Sequence, residues 1–239
     1  LELTNYTNYQ QEKIKFGPHI NILIGDNAQG KSNLIDSIFF LGTGKSYRQN
    51  QELLLIKWGE EYFRLIGELE NARGEYTIEH AVKRGKKLIK VNGLNLSTLK
   101  ELMGLLVVIV FTPEDLNLIK GGPEFRRSFL NRKLIQINPL FYESSLSYQK
   151  VLSHRNKLLK MPNPTKNEMD IWDEQLINHG SKLIIERKKI LKKLNRMAKE
   201  IHRQLSGEKE ELELIYQPSV SLSDELDERE IGKAFQKQL

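Results

Sequence analysis

Gly25-Asp26-Asn27-Ala28-Gln29-Gly30-Lys31-Ser32 fits the P-loop pattern G-x-x-x-x-G-K-[ST] at every fixed position. Immediately before it, His19-Ile20-Asn21-Ile22-Leu23-Ile24 reads as a buried strand. Immediately after it, Leu34, Ile35, Ile38 and Phe39 recur at helical spacing. Strand, glycine loop and helix form the context in which this pattern makes a phosphate site. The two glycines let backbone N–H groups turn toward phosphate oxygens, and the helix start adds partial positive charge. Lys31 has the reach for the β- and γ-phosphates, and the Ser32 hydroxyl suits magnesium. At ordinary residue frequencies the four fixed positions coincide by chance in about one chain in a hundred of this length. A glycine-rich turn with a stray lysine would not explain the flanks. The expectation is a nucleoside triphosphate held by residues Gly25 to Ser32.

The chain has 239 residues, 39% of them hydrophobic, enough for one large domain or two small ones. No apolar run approaches the length of a membrane span and no signal peptide opens the sequence, so a soluble, cytoplasmic protein is expected. There is no cysteine, which excludes disulfides, thiolate chemistry and cysteine-ligated zinc. The five histidines are scattered without metal spacing. The first residue is Leu1, which suggests that the chain is not a complete gene product. The net charge of +6 hides an asymmetry. Residues 207–239 hold nine acidic and four basic side chains, a net of −5, which leaves +11 on residues 1–206. Such an excess favours polyanionic partners.

Leu1–Asn5 and Lys13–Phe16 read as two short strands leading toward the P-loop strand. Tyr62–Glu70, Tyr76–Lys83 and Lys86–Val91 alternate as an antiparallel meander, with turns at 71–74 and at Arg84-Gly85, and Asn92-Gly93 marks a further turn. Leu105–Phe111 is a continuous apolar run, expected as a strand buried on both faces. Beyond Pro113 the pattern becomes helical. Glu124–Ile137, Leu140–Lys160 and Glu168–Leu205 carry helical spacing, the last two separated by the breaker Met161-Pro162-Asn163-Pro164 and expected as an antiparallel hairpin. Ile184, Leu191, Leu194, Ala198, Ile201 and Leu205 form an apolar seam on the last of these helices. Lys182, Lys189, Lys192, Lys193, Arg196, Lys199 and Arg203 lie on its opposite face. Leu212–Tyr216 alternates like a strand returning to the sheet, and Ser221–Leu239 reads as charged helix. The organisation expected is a P-loop head over residues 1–120, a helical arm over 121–207, and a returning strand and helix start over 208–239.

A P-loop ATPase also needs a carboxylate at a neighbouring strand end. Glu114-Asp115 follows the apolar run, but Thr112-Pro113 intervenes and Pro113 points to a new helix. Gly42-Thr43-Gly44-Lys45-Ser46 imitates a second P-loop, yet Phe39 stands where its first glycine should be, so it reads as a turn.

Taken together, these blocks resemble the RecF family of bacterial recombination and replication-repair proteins, within the wider group of SMC-like and ABC-type ATPases. The resemblance rests on Leu3-Thr4-Asn5-Tyr6-Thr7-Asn8-Tyr9, the P-loop with Asn33-Leu34-Ile35-Asp36-Ser37-Ile38, Gly44-Lys45-Ser46-Tyr47-Arg48 and Leu54-Leu55-Ile56. Its most specific block is 111–121, Phe-Thr-Pro-Glu-Asp-Leu-Asn-Leu-Ile-Lys-Gly, running into Pro123, Arg126, Arg127, Phe129 and Leu130. His154-Arg155-Asn156-Lys157-Leu158-Leu159-Lys160 closes it. Asn131 departs from the family's usual aspartate, and Ser32 from its commoner threonine. The resemblance implies an α/β ABC/SMC-type P-loop ATPase head with an attached antiparallel sheet, plus a helical arm lobe. It implies ATP and Mg2+ as cofactors, an ATP-dependent homodimer, and binding to double-stranded DNA and single-strand/double-strand junctions. RecR and RecO are the implied partners in loading the recombinase, with slow DNA-stimulated ATP hydrolysis and no membrane role. It also implies that the signature motif and Walker B carboxylates lie beyond Leu239, so that these residues look like the N-terminal two-thirds of such a protein. Arg48 lies where related heads place an arginine that reaches nucleotide or DNA. For DNA, the candidate contacts are Lys83, Arg84, Lys86, Lys87 and Lys90 on the meander and Lys189, Lys193 and Arg196 on the arm. Two rival readings remain: a small-molecule P-loop kinase or transferase using Arg126 and Arg127 as lid residues, and a structural SMC-type head.

Overall fold

The computed structural model describes residues 1–162, 165–220 and 228–237. Leu1–Lys120 and Gly121–Leu239 form two compact units.

In the first unit, β1 (Glu2–Tyr6) and β2 (Tyr9–Lys13) make a hairpin. β3 (Tyr62–Asn71), β4 (Gly74–Lys83), β5 (Lys86–Val91) and the two-residue β6 (Leu94–Asn95) form the meander. The six strands join in one antiparallel sheet, in the order β2-β1-β3-β4-β5-β6. Period-2 alternation turns Phe63 and Leu65 of β3, and Ile78, His80 and Val82 of β4, to the same buried face. Helix α1 (Lys31–Thr43) lies on that face, adding Leu34, Phe40 and Leu41 to a core completed by Leu3, Tyr6, Leu55 and Leu102. Phe40 meets the rings of Phe63 and His80 edge-on. His80 is fully buried, its Nε2 paired with the Leu41 carbonyl at 3.1 Å, and burial pushes its pKa down to about 4.

Three strand expectations need correction. The second strand is Tyr9–Lys13 rather than Lys13–Phe16, because the chain reverses at Thr7-Asn8 and pairs Tyr6 with Tyr9. His19–Ile24 forms no strand, and Ile20 and Ile24 are 87% and 90% exposed. Leu105–Phe111 forms none either; Val107, Ile109 and Phe111 point outward while Val108 and Val110 are half-buried. The physical reason is common to both. A strand exists only where a neighbour completes its N–H and C=O ladder, and neither segment belongs to the six-stranded sheet.

Pro113 begins a 3-10 turn, Pro113–Leu116, followed by the single-turn α2 (Asn117–Lys120). Asp115 accepts from the Thr112 backbone N–H at 2.8 Å and its hydroxyl at 3.2 Å, so it serves as a capping acid there. Gly44 caps α1 in the left-handed region, which makes 42–46 a helix-ending turn.

The second unit is helical: α3 (Pro123–Ile137), α4 (Pro139–Leu158), α5 (Lys166–Leu205) and α6 (Glu228–Gln236). Proline opens α3 and α4 at positions where its missing N–H costs nothing, and Thr165 with Glu168 forms a capping box for α5. α4 and α5 pair antiparallel. Asn138 donates to Glu186 at 2.9 Å near one end, while Arg155 pairs with Asp173 and His154 stacks on Trp172 near the other. Val151, Leu176, Ile184, Val220, Ile231 and Phe235 pack into one cluster, and Leu134, Phe141 and Leu183 into a second. Asn163 and Pro164 of the breaker, and residues 221–227 and 238–239 of the charged tail, lie outside the described residues.

Two further expectations change. The apolar seam of α5 fades outward: Ile184 is buried, but Ile201 and Leu205 are exposed. Leu212–Tyr216 is not a strand returning to the sheet; it runs back beside α5. The Leu214 N–H donates to Asn195 Oδ1 at 2.7 Å, and Glu211 and Glu210 stand 3.5 and 3.7 Å from Lys199 and His202. Those side chains on the helix hold the segment in place of a β ladder.

Candidate nucleotide-binding site

Residues 25–29 are exposed and Gly30 is buried at the start of α1. Ala28 (φ 65°) and Gly30 (φ 102°) both adopt left-handed backbone, which curls the loop into a cradle of N–H groups. Gly30 is favoured by its backbone, and a side chain there would also displace Asn8. Its φ strains any side chain, and an added Cβ would sit 2.5 Å from the Asn8 amide. Lys31 arches back over the loop, its Nζ donating to the carbonyls of Gly25 and Asp26 at 2.6 Å each. A cationic head held over the loop's own backbone is placed to meet phosphate oxygens entering it. Ser32 is exposed, and its hydroxyl makes no hydrogen bond among the described residues, so it is free to ligate magnesium. Among those residues there is no cluster of three or more His, Asp or Glu able to hold a metal.

The β1–β2 turn supports the loop from behind. Asn8 Nδ2 donates to the Gln29 carbonyl at 3.2 Å, and the Tyr9 hydroxyl to the Gly30 carbonyl at 3.1 Å. Asn33 Nδ2 donates to Asn8 Oδ1 at 2.8 Å, and Lys57 Nζ to the Asn8 carbonyl at 3.2 Å. Beneath α1, the buried Asp36 carboxylate accepts from the Tyr6 hydroxyl at 2.7 Å, from Ser46 Oγ at 2.8 Å and from the Tyr47 N–H at 3.0 Å. Burial first, and Asp36 second, raises the pKa of both Tyr6 and Tyr47. This anchor fixes the 44–48 turn, whose Arg48 guanidinium pairs with Asn33 Oδ1. The structure thus brings Arg48 to the first turn of α1, at Asn33.

The candidate DNA contacts divide into two kinds. On the meander, Lys83 pairs with Glu61 at 2.7 Å and Lys87 with Glu52 at 2.5 Å, and Lys90 stands 3.9 Å from Glu79. Lys87 also donates to the Gly44 carbonyl and sits 5.1 Å from the Phe40 ring centroid, which ties its head group to the end of α1. Arg84 and Lys86 are exposed. On the arm, Lys189 pairs with Glu186 at 2.9 Å, while Lys193 and Arg196 are exposed without an ion pair among the described residues.

Similarity to known proteins follows the same outline. The RecF/RecN/SMC N terminal domain family matches residues 1–215. The chain belongs to this family. It is 42% identical over 230 residues to the DNA replication and repair protein RecF of Alkaliphilus oremlandii (strain OhILAs), covering 95% of the chain and 63% of that protein. It is 39% identical to the protein of the same name from Bacillus cereus (strain G9842), covering 98% of the chain and 64% of that relative. Two solved structures of the recombination mediator protein RecF of the RecFOR pathway, one with ATP and one with ATPrS, superpose with TM-scores of 0.93 and 0.94 at 34% identity. They cover 99% and 100% of the chain, and 64% and 65% of theirs. The chain thus spans just under two thirds of the length of these relatives. The likeness establishes a RecF-like α/β fold of the ABC/SMC ATPase type. No helix among the described residues is long and apolar enough to cross a membrane.

Motif reading missed Asn8, Tyr9, Asp36 and Lys57 as members of the site. Asp36 left one usable signal, a lone carboxylate within the apolar stripe of α1. Asn8 and Tyr9 stood only within the block from Leu3 to Tyr9 that carries the resemblance, and Lys57 left no signal, because these hydrogen bonds span 21 to 49 residues of sequence.

Proposed function

We propose that this chain is the nucleotide-binding head and arm of an ATP-dependent DNA-binding protein of recombinational repair and replication-fork maintenance. ATP with Mg2+ lodges in the loop from Gly25 to Ser32. The observation that carries this reading is the arch of Lys31 over an exposed, left-handed glycine loop, in a fold that superposes on ATP-bound RecF. Two ATP-bound heads dimerise, and the protein grips double-stranded DNA at gaps and single-strand/double-strand junctions in the cytoplasm. RecR and RecO join it to load the recombinase. Arg48 contacts the nucleotide or the DNA from its place beside Asn33. Hydrolysis is slow, is stimulated by DNA and resets the dimer.

DNA is held by the exposed cations of both groups, Lys189, Lys193 and Arg196 on α5 and Lys83, Arg84 and Lys86 on the meander. Lys189 and Lys83 would exchange exposed carboxylate partners for phosphate, while Lys87 is also tied to the Gly44 carbonyl. The test combines calorimetry of ATP binding with binding of a gapped duplex, with and without ATP. Lys31→Ala should lower ATP affinity about tenfold to a hundredfold, as removal of a charge-assisted hydrogen bond does, and should abolish ATP-dependent DNA binding. Unchanged affinity would refute the site.

The kinase reading is weaker because Arg126 Nη1 is turned back onto the Gly121 carbonyl at 3.1 Å rather than toward a substrate lid. A structural SMC head is disfavoured by an arm helix of only 40 residues.

A further inference from the structure

Among the described large apolar residues Trp58 is the most exposed, at 99%. It is not on a loose loop. Trp58 and Gly59 are the corner of a turn closed by the Glu60 N–H to the Lys57 carbonyl at 3.0 Å. Gly59 at φ 86° supplies the left-handed third position that a type II turn demands, which leaves Trp58 at the outward second position. The turn is fastened to the β1–β2 hairpin from several sides. The Lys57 N–H donates to the Asn5 carbonyl at 2.9 Å, the Thr7 N–H to the Leu55 carbonyl at 2.7 Å, and Asn5 Nδ2 to Glu60 at 3.0 Å; Ile56 bridges Tyr6. A rigid pedestal holding a wholly exposed indole is costly in water unless something covers the ring.

Its location says what covers it. Lys57 Nζ reaches the Asn8 carbonyl, Asn8 reaches the Gln29 carbonyl, and Asn33 reaches Asn8, so the pedestal is joined through one residue to both the P-loop and the first turn of α1. A P-loop cradles the α- and β-phosphates while its lysine reaches the β- and γ-phosphates, so the nucleoside extends from the end away from Lys31 Nζ, which lies over Gly25 and Asp26. Gly25 to Ser32 contain no aromatic residue on which a base could stack. We infer that Trp58 is the stacking platform for the purine base of the nucleotide whose phosphates the P-loop holds, an inference that rests on the nucleotide reading above. Stacking on a π-face tolerates any base, so this subsite adds affinity without selecting strongly among purines.

The experiment measures ATP and inorganic tripolyphosphate binding by calorimetry for the intact protein and its Trp58→Ala and Trp58→Phe variants. A side chain this exposed can be replaced without disturbing the core, and circular dichroism checks that. Trp58→Ala should weaken ATP about fivefold to a hundredfold, the range for loss of one base–aromatic stack, while tripolyphosphate binds unchanged. Trp58→Phe should restore most of the loss. Equal weakening of both ligands, no weakening of either, or intact protein binding ATP no better than tripolyphosphate would overturn the platform and leave the P-loop assignment standing. Failure of intact protein to bind either ligand would overturn both. Loss of single-stranded DNA binding with ATP affinity intact would give Trp58 to another partner and overturn the proposal.

Discussion

The Tyr6 hydroxyl donates to the Asp36 carboxylate at 2.7 Å, a buried bond that ties the first strand to the helix behind the P-loop. Ser46 and the Tyr47 backbone share the same carboxylate, so one acid aligns the strand, the helix and the turn that presents Arg48. Tyr6→Phe removes one donor and leaves the carboxylate less fully satisfied. The expected cost is about 1–2 kcal/mol, read as a lower urea midpoint with unchanged slope. An unchanged midpoint would mean that Ser46 and Tyr47 suffice.

His80 should make stability depend on pH. Its pKa is lowered from 6.5 to about 4 by burial, so the unfolded chain takes up a proton at a pH where the folded one does not. The contribution is fully present above pH 6.5 and is lost as pH falls toward 4. At about 1.4 kcal/mol per unit the shift amounts to roughly 3 kcal/mol. Urea unfolding at pH 7, 5.5 and 4.5 should show the gap between the unmodified protein and His80→Gln closing with acidification. A constant gap would count against it.

Asn8 should matter to nucleotide binding although it lies outside the motif. Asn8→Ala removes the amide that holds the Gln29 carbonyl and the partner of Asn33. A loss of about 1 kcal/mol in loop order should appear as weaker ATP affinity with little change in melting temperature, because the side chain is exposed. Equal losses in both would make Asn8 a purely structural residue.

The arm stripe should set the salt dependence of DNA binding. Reversing Lys189, Lys193 and Arg196 to glutamate should flatten the log–log salt slope by about 0.9 for each phosphate no longer neutralised. Reversing Lys87 should instead lower stability, since its head group also holds the Gly44 carbonyl and Glu52, whereas reversing Lys83, in an exposed pair with Glu61, should change stability little. Filter binding across a salt series, beside thermal melts, separates the two. Equal effects from the arm and Lys87 reversals would refute the distinction.

What the sequence revealed follows from where each signal resides. Gly25 to Ser32 were legible because the chemistry demands fixed spacing, and the meander because Phe63, Leu65, Ile78 and Val82 alternate against one core. β2 was not, since Tyr9-Gln10-Gln11-Glu12-Lys13 is a polar edge strand without an apolar face. His19–Ile24 and Leu105–Phe111 misled for the opposite reason: apolar runs report a preference for burial but not the neighbour that must supply it. Leu212–Tyr216 alternated correctly, yet Asn195 and Lys199 captured it before any sheet could.

α5 is a rod about 60 Å long, at ~1.5 Å per residue, and its two halves are held very differently. Leu176, Leu183 and Ile184 are locked into packed clusters, whereas Met197, Ile201 and Leu205 face outward, and the outer turns are steadied by Glu210, Glu211 and Leu214. Local opening free energy should therefore decline along the rod. Amide hydrogen exchange should proceed as a graded fray, fastest past Met197 and slowest around Ile184, so that a load on the tip meets a compliant spring before it reaches a stiff root.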